Sequence, residues 1–411
     1  MSMINDIDLM RHPQTHGLDF VEDINRLRER DPVYWSDASR CWIVTRFQDV
    51  SDGFEGKLPL LSGGRNEFSL AVIPHEERAK RIPTLHRYVK HWIVNVDAPQ
   101  HTRLRKLAMK AFTKKIVESI RPLARARVEA LLTMAAEKTT VEFNEEIARP
   151  LPGYVLFKLI GFPEKHYKHL REWSNAMVEG VSVANPPPHL VERADWAVGE
   201  MTRVILEELN ERKENPRDDL LTSLLNSSEG GENLSTDELV ATMHIIIIAG
   251  HDTTANTMTL GLEALSRHPQ AWDYIHRHPE NILNCVNELM RYTSMSAGQS
   301  RIVATDFQWH GKHLKKDDIV FLSIMGANHD PRVFSHPEKL DFTRNTEKSQ
   351  VFAPGIHHCI GHLLAKMQLC EFFQALVTRF SSVDILDEPL DFMPVSVFRG
   401  MYAMNVRFNP R

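Results

Sequence analysis

Cysteine is scarce in this chain. Its 411 residues hold only Cys41, Cys285, Cys359 and Cys370, and no regular spacing links these four into a disulfide framework. A dominant charge is lacking too: 49 Lys and Arg stand against 54 Asp and Glu, a formal net charge of -5. Nothing in that balance points to nucleic acid as a partner. Long apolar runs are missing. The strongest, HIIIIAG at 244–250, falls far short of the roughly 20 residues that span a bilayer. The opening stretch, MSMINDIDLMRHPQTHG, has no apolar signal core. Together these absences lead us to expect a cytoplasmic protein with reduced thiols, no membrane and no nucleic acid.

What is there suits a folded protein with a sizeable core, 42% hydrophobic and 25% charged. The text reads as mainly α with a minor β region, one large domain over residues 1–411. DFVEDINRLRERDP predicts a first helix stopped by Pro32, and PVYW and CWIVTRF read as strands. From 56 to 97 the pattern is irregular, as in a long functional loop. Helical periodicity resumes at APQHTRLRKLAMKAFT and fills most of 114–215. It breaks at ANPPPH, whose prolines exclude a helix interior. NSSEGGENLS predicts a flexible turn before a long helix over 236–267. Beyond Arg291, SRIVATDFQWHG, DDIVFLSI and LDFMPVSVFRGMYAMNVRF read as strands. No internal repeat is evident.

Several stretches carry chemistry. FAPGIHHCIG, at 352–361, sets one cysteine in a glycine-punctuated loop that leads into a helical pattern. A disulfide, a zinc site, a nucleophile and a cofactor ligand all remain open for it. In AGHDTT, at 249–254, small residues let something bulky approach the helix backbone, and Asp252 beside Thr253 can relay protons. A tight helix crossing would need the same small residues. NELMRY sets Glu288 and Arg291 on one helical face, where an exposed ion pair is the plain reading. HTRLR places His101 and Arg105 on one face, either as a solvated basic helix or as a clamp for an anion.

Taken in order, DAPQHTRLR, AGHDTT, ELMR, ANHDPRVF and FAPGIHHCIG resemble the signatures of the cytochrome P-450 superfamily, most of all its soluble bacterial branch. The resemblance runs from about Asp97 through Ala365. It implies a haem-thiolate monooxygenase that inserts one atom of O2 into a small or medium, largely hydrophobic organic substrate. Electrons would come from a ferredoxin or similar protein. The cofactor would be heme b (iron protoporphyrin IX), with Cys359 as the proximal thiolate that pushes electron density onto iron. His101, Arg105, Arg301 and His357 match the positions that meet the haem propionates. Asp252 and Thr253 match the acid–alcohol pair that delivers protons during oxygen activation. Glu288 and Arg291 match a structural pair behind the haem.

Three positions depart from the family pattern. Ala353 stands where glycine is usual, Met295 where proline is common, and His251 is unusual between Gly250 and Asp252. His358 and His362 match no family role and read as loop or surface histidines. Two rivals stand beside this reading. A zinc module on Cys359 with His357, His358 or His362 would lack tetrahedral geometry, and a haem protein that binds or senses without oxygenating would not need Asp252 and Thr253. The basic residues of 76–91, among them Arg78, Arg81 and Arg87, together with Arg399, either solvate a loop or offer cations to a carboxylate-bearing substrate. Arg103, Lys106 and Lys110, with Lys114 and Lys115, form a candidate docking patch for the electron donor.

Overall fold

The structure is a computed structural model that describes residues 7–9, 18–181, 186–229, 231–387, 389–393 and 397–411. Most of the opening stretch and parts of ANPPPH, NSSEGGENLS and LDFMPVSVFRGMYAMNVRF lie outside the described residues. The chain forms two compact units. The first comprises Met1–Leu60, Arg121–Pro152 and Thr253–Arg411, the second Leu61–Ile120 and Gly153–Asp252.

The first unit holds the main sheet. The strands Val33–Ser36 and Cys41–Val44 form an antiparallel pair in which Trp35 faces Trp42. The second of these runs parallel to Ile319–Leu322, which pairs antiparallel with Gln299–Val303. The two-residue strand Leu60–Leu61 completes the order where the chain leaves the unit. β-Branched and aromatic residues suit such half-buried strands, and their inward side chains build the core. Ile43 and Phe321 pack with Phe20, Ile24 and Leu27 of the first helix, Leu18–Arg30. Val44, Val320 and Leu322 pack with Val50 and Phe54 of the helix Phe47–Phe54. A second sheet joins Phe380–Ile385, Asn405–Pro410 and Val141–Glu142. The helix His362–Arg379 buries Leu364, Met367, Leu369, Phe372, Phe373, Leu376 and Val377 and packs on Ile282–Thr293 and Pro269–Arg277.

Among its described residues, the second unit is mainly helical. Its longest helix, Pro188–Glu214, packs on Tyr167–Val181. The helix Thr236–Ala249 begins at a capping box: the Glu238 N–H donates to Ser235 Oγ at 3.3 Å, and the Ser235 N–H donates to the Glu238 carboxylate at 2.9 Å.

Three expectations need revision. The long helix over 236–267 is interrupted: Thr236–Ala249 ends, Gly250 and His251 form a turn, and Asp252–Ser266 begins anew. Gly250 has no Cβ, and one placed there would come within 2.8 Å of the Ile246 carbonyl oxygen and 3.1 Å of Leu156. The irregular 56–97 stretch contains short helices, Glu67–Leu70, His75–Arg81 and Pro83–Tyr88, followed by two 3-10 turns. NSSEGGENLS includes a two-stranded hairpin, Ser228–Glu229 with Glu232–Asn233. Among the described residues no helix is long and apolar enough to cross a membrane.

Candidate active site

In the first unit, Cys359 is half-buried at the end of its loop, just before the helix His362–Arg379. Its N–H donates to the Phe352 carbonyl at 2.9 Å, which closes the loop on itself. Gly355 sits at φ +83, and a Cβ there would lie 2.2 Å from the Phe54 carbonyl oxygen. Only glycine fits that position. Ala353 also takes a left-handed conformation, φ 50, which costs an L-residue about 1–2 kcal/mol. The departure from glycine is therefore accommodated under strain.

The structure changes the reading of His362. Its ring is half-buried, and Nδ1 lies 2.9 Å from the Cys359 carbonyl oxygen. A carbonyl can only accept, so Nδ1 carries the hydrogen. His358 packs edge-on against His362 with ring centroids 4.7 Å apart. Sequence reasoning missed this contact, although a histidine three residues after the cysteine at a helix start was a usable signal. The other cysteines are unsuited to ligation. Cys41 and Cys285 are buried, and burial pushes the Cys285 and Cys370 thiols up to about 12. Among the described residues no three His, Cys, Asp or Glu gather in a way that could hold a metal ion, whereas a closed zinc site needs four ligands.

Arg301 lies opposite Val320 in the sheet and is 4% exposed. Its guanidinium lies 5.0 Å over the Phe54 ring, a cation–π contact, and Nη1 donates to the Ser300 carbonyl at 2.8 Å. His357 is half-buried in the cysteine loop. Thr253 is half-buried in the first turn of Asp252–Ser266, and its carbonyl accepts the Thr257 hydroxyl at 2.8 Å.

Glu288 and Arg291 do not form the exposed pair that their spacing suggests. Both side chains are 0% exposed. The Glu288 carboxylate takes Arg291 Nε at 2.7 Å and Nη2 at 2.8 Å. It also accepts Arg344 Nε at 3.0 Å and the Asp341 N–H at 3.1 Å. Arg291 donates onward to the carbonyls of Asn328 at 2.8 Å and Pro337 at 3.0 Å.

In the second unit, His101 is buried on the helix Gln100–Ala111. Burial first, and the charge of Arg105 second, hold it below the ordinary histidine range. The structure thus brings His101 and Arg105 together as their spacing predicts. Asp252 keeps 22% of its side-chain surface, with Oδ1 3.0 Å from Nδ1 of the buried His251 ring. A Cβ on Gly153 would lie 3.1 Å from that ring. The unusual His251 therefore packs inward beside Asp252. The basic patch is partly engaged: Arg103 pairs with Glu238 and Lys110 donates to the Ser228 carbonyl, while Lys106, Lys114 and Lys115 remain exposed.

The family profile described as cytochrome P450 matches residues 188–284 and 282–398. The polyketide biosynthesis cytochrome P450 PksS of Bacillus subtilis is 30% identical, over 93% of this chain and 94% of its own. A steroid C26-monooxygenase of Mycobacterium tuberculosis is 31% identical, over 77% of this chain and 86% of its own. The solved structure of cytochrome P450 CYP109Q5 from Chondromyces apiculatus covers 100% of both chains at 25% identity, with a TM-score of 0.86.

Proposed function

The chain belongs to the cytochrome P450 family, and on that premise we propose that Cys359 is the thiolate that holds its haem iron. The protein is a haem-thiolate monooxygenase that places one atom of O2 in an organic substrate, with electrons from a separate redox partner. Heme b offers an iron and two carboxylates, so a chain that fits it needs one soft anionic donor and fixed cations. The residues present suit that need. Cys359 is half-buried in a loop that only glycine at 355 permits, and this observation carries the assignment. Arg301 is buried on a sheet strand, His357 lies in the cysteine loop, and His101 with Arg105 sits on one helix face. These four would meet the propionates.

When bound, the haem supplies the redox centre at which O2 is activated. The chain's own residues do the rest. His362 holds the carbonyl of Cys359 through Nδ1–H and so fixes the loop that presents the sulfur. Asp252 holds and releases protons at its carboxylate, beside the inward-packed His251 ring. The Thr253 hydroxyl passes those protons toward the reacting oxygen. Buried Glu288 and Arg291 keep the segments at 328 and 337–341 in place.

The electron donor in this reading is an acidic ferredoxin, received by Lys106, Lys114 and Lys115, which stay exposed. The two units act as one catalytic domain in the cytoplasm. Support for the single domain comes from a solved P450 that matches the whole chain, and for the cytoplasm from bacterial relatives. The test is Cys359→Ser. It should abolish the red-shifted Soret band of the ferrous–CO complex, and a variant that keeps the band removes Cys359 from the ligand position.

A further inference from the structure

Sequence alone offers Arg78, Arg81, Arg87 and Arg399 as cations for a carboxylate-bearing substrate. The structure gives each of them an internal partner. Arg78 Nη1 lies 2.6 Å from the Glu67 carboxylate. Arg81 meets Glu192 at 2.8 Å and Glu77 at 3.0 Å. Arg87 forks onto Asp237 at 2.8 and 3.1 Å. Arg399 is buried and donates to the Thr293 carbonyl.

Arg65 is different. It leaves a turn at 62–66 that is built around Asp97. The N–H groups of Ser62 and Gly63 donate to the two oxygens of the Asp97 carboxylate at 2.9 and 2.8 Å. A Cβ on Gly63 would lie 2.9 Å from that carboxylate, and Gly64 turns the chain at φ +77. The half-buried Arg65 side chain is steered by one hydrogen bond, Nε to Asn95 Oδ1 at 3.0 Å. Asn95 is itself oriented, because its amide nitrogen donates to the Val89 carbonyl at 3.1 Å. A guanidinium has five N–H donors. The four on Nη1 and Nη2 have no partner among the described residues. Asp97, the carboxylate whose charge acts on Arg65, is already engaged by the turn and makes no ion pair with it. Burial accordingly pulls Arg65 down to about 10, because desolvation outweighs the pull of Asp97. The turn thus fixes a cation by its inner nitrogen and leaves its outer fork open.

We propose that Arg65 binds a carboxylate through Nη1 and Nη2. A planar guanidinium matches a carboxylate with two parallel N–H···O bonds, and a half-buried one gains most from a counter-charge. Two carboxylates have the chemistry this fork would take in a P450: that of an acidic organic substrate and a haem propionate. The inference rests on the haem-thiolate reading, and the ferrous–CO band of each variant checks that reading separately.

The experiment uses ω-(imidazol-1-yl)alkanoic acids of increasing chain length and their methyl esters, titrated into the ferric holoenzyme. The imidazole anchors each probe on the iron, so binding registers as a Soret shift whatever the natural substrate is. If the partner is a substrate carboxylate, one chain length should bind about tenfold or more tighter as the acid than as the ester. Arg65→Met should abolish that preference and Arg65→Lys should keep part of it. Arg81→Met and Arg87→Met should leave it unchanged. If the partner is a propionate, Arg65→Met should instead release haem to excess apomyoglobin about tenfold faster than wild type, with no acid preference at any length. Acid-to-ester ratios near one at every length, together with unchanged haem release in Arg65→Met, would overturn the proposal. A Soret shift that responds to Arg65 in neither arm while the ferrous–CO band stays intact has the same meaning.

Discussion

Glu288→Gln is an almost isosteric change with a large expected cost. The carboxylate is fully buried and serves two cations at once, Arg291 at 2.7 and 2.8 Å and Arg344 at 3.0 Å, as well as the Asp341 N–H at 3.1 Å. An amide keeps one accepting oxygen and puts an NH2 where the second stood. A donor then faces a donor, and the 0%-exposed Arg291 is left without a counter-charge. Breaking a buried pair in this way costs about 3–5 kcal/mol, a large part of the roughly 5–15 kcal/mol that holds a domain folded. An unfolding entropy of about 2.1 cal/mol/K per residue gives roughly 0.9 kcal/mol/K for this chain length, so the melting temperature should fall by about 3–6 °C. The assay is calorimetry or far-UV circular dichroism of the holoenzyme at one fixed scan rate. Asp384→Asn is the control, because its pair with Arg407, at 3.1 Å, is about half exposed on both sides and should contribute less than about 1 kcal/mol. Glu288→Gln melting within a degree of wild type would refute the claim that this carboxylate compensates the buried Arg291 and the half-buried Arg344.

The remaining predictions concern pH, proton delivery and electron supply. His244 is 0% exposed, and burial pulls it from 6.5 to about 3. The folded state therefore refuses a proton that the unfolded chain accepts below pH 6.5. This contribution to stability is complete above pH 6.5 and is lost as pH falls toward 3, by about 2 kcal/mol at pH 5. His244→Gln should remove that much of the difference between denaturant unfolding at pH 7.5 and pH 5, and an unchanged difference would contradict the assignment. Thr253→Ala should still consume reducing equivalents but release more hydrogen peroxide, with less product per electron. Asp252→Asn should slow turnover by about 10²; unaltered coupling in the first variant counts against its role. Lys106→Glu should slow reduction by an acidic ferredoxin, most visibly at low salt, and reduction kinetics matching wild type would take the patch out of consideration.

The legible parts of this molecule are those whose chemistry is local. A cysteine in a glycine loop, an acid next to an alcohol, and a histidine one helical turn from an arginine show in the sequence because their partners lie within a few residues. The first helix and the paired strands Val33–Ser36 and Cys41–Val44 were readable for the same reason. The break at Gly250 and His251 was not. It depends on Leu156 reaching the glycine and on Gly153 making room for the His251 ring, and no periodicity encodes either. Helices as short as Glu67–Leu70 complete too few turns to show a repeat.

Charge is where the sequence misleads most, because it records the sign of a side chain and not what stands opposite. Glu288 and Arg291 show the spacing of an exposed pair, yet carbonyls from Asn328 and Pro337 and the guanidinium of Arg344 enclose them. Arg81 and Arg87 look available within a basic run, yet Glu192 and Asp237, far along the chain, neutralise both. Arg65 attracts no attention in the text, being one arginine after two glycines. Its outer nitrogens become significant only when Asp97 is seen to be taken by the backbone of the same turn. A cation open to a ligand is thus defined by the carboxylates that are occupied elsewhere. That is a property of the folded chain, set around Arg65 by Asp97 and Asn95 and absent from the basic run at 76–91, whose arginines are paired.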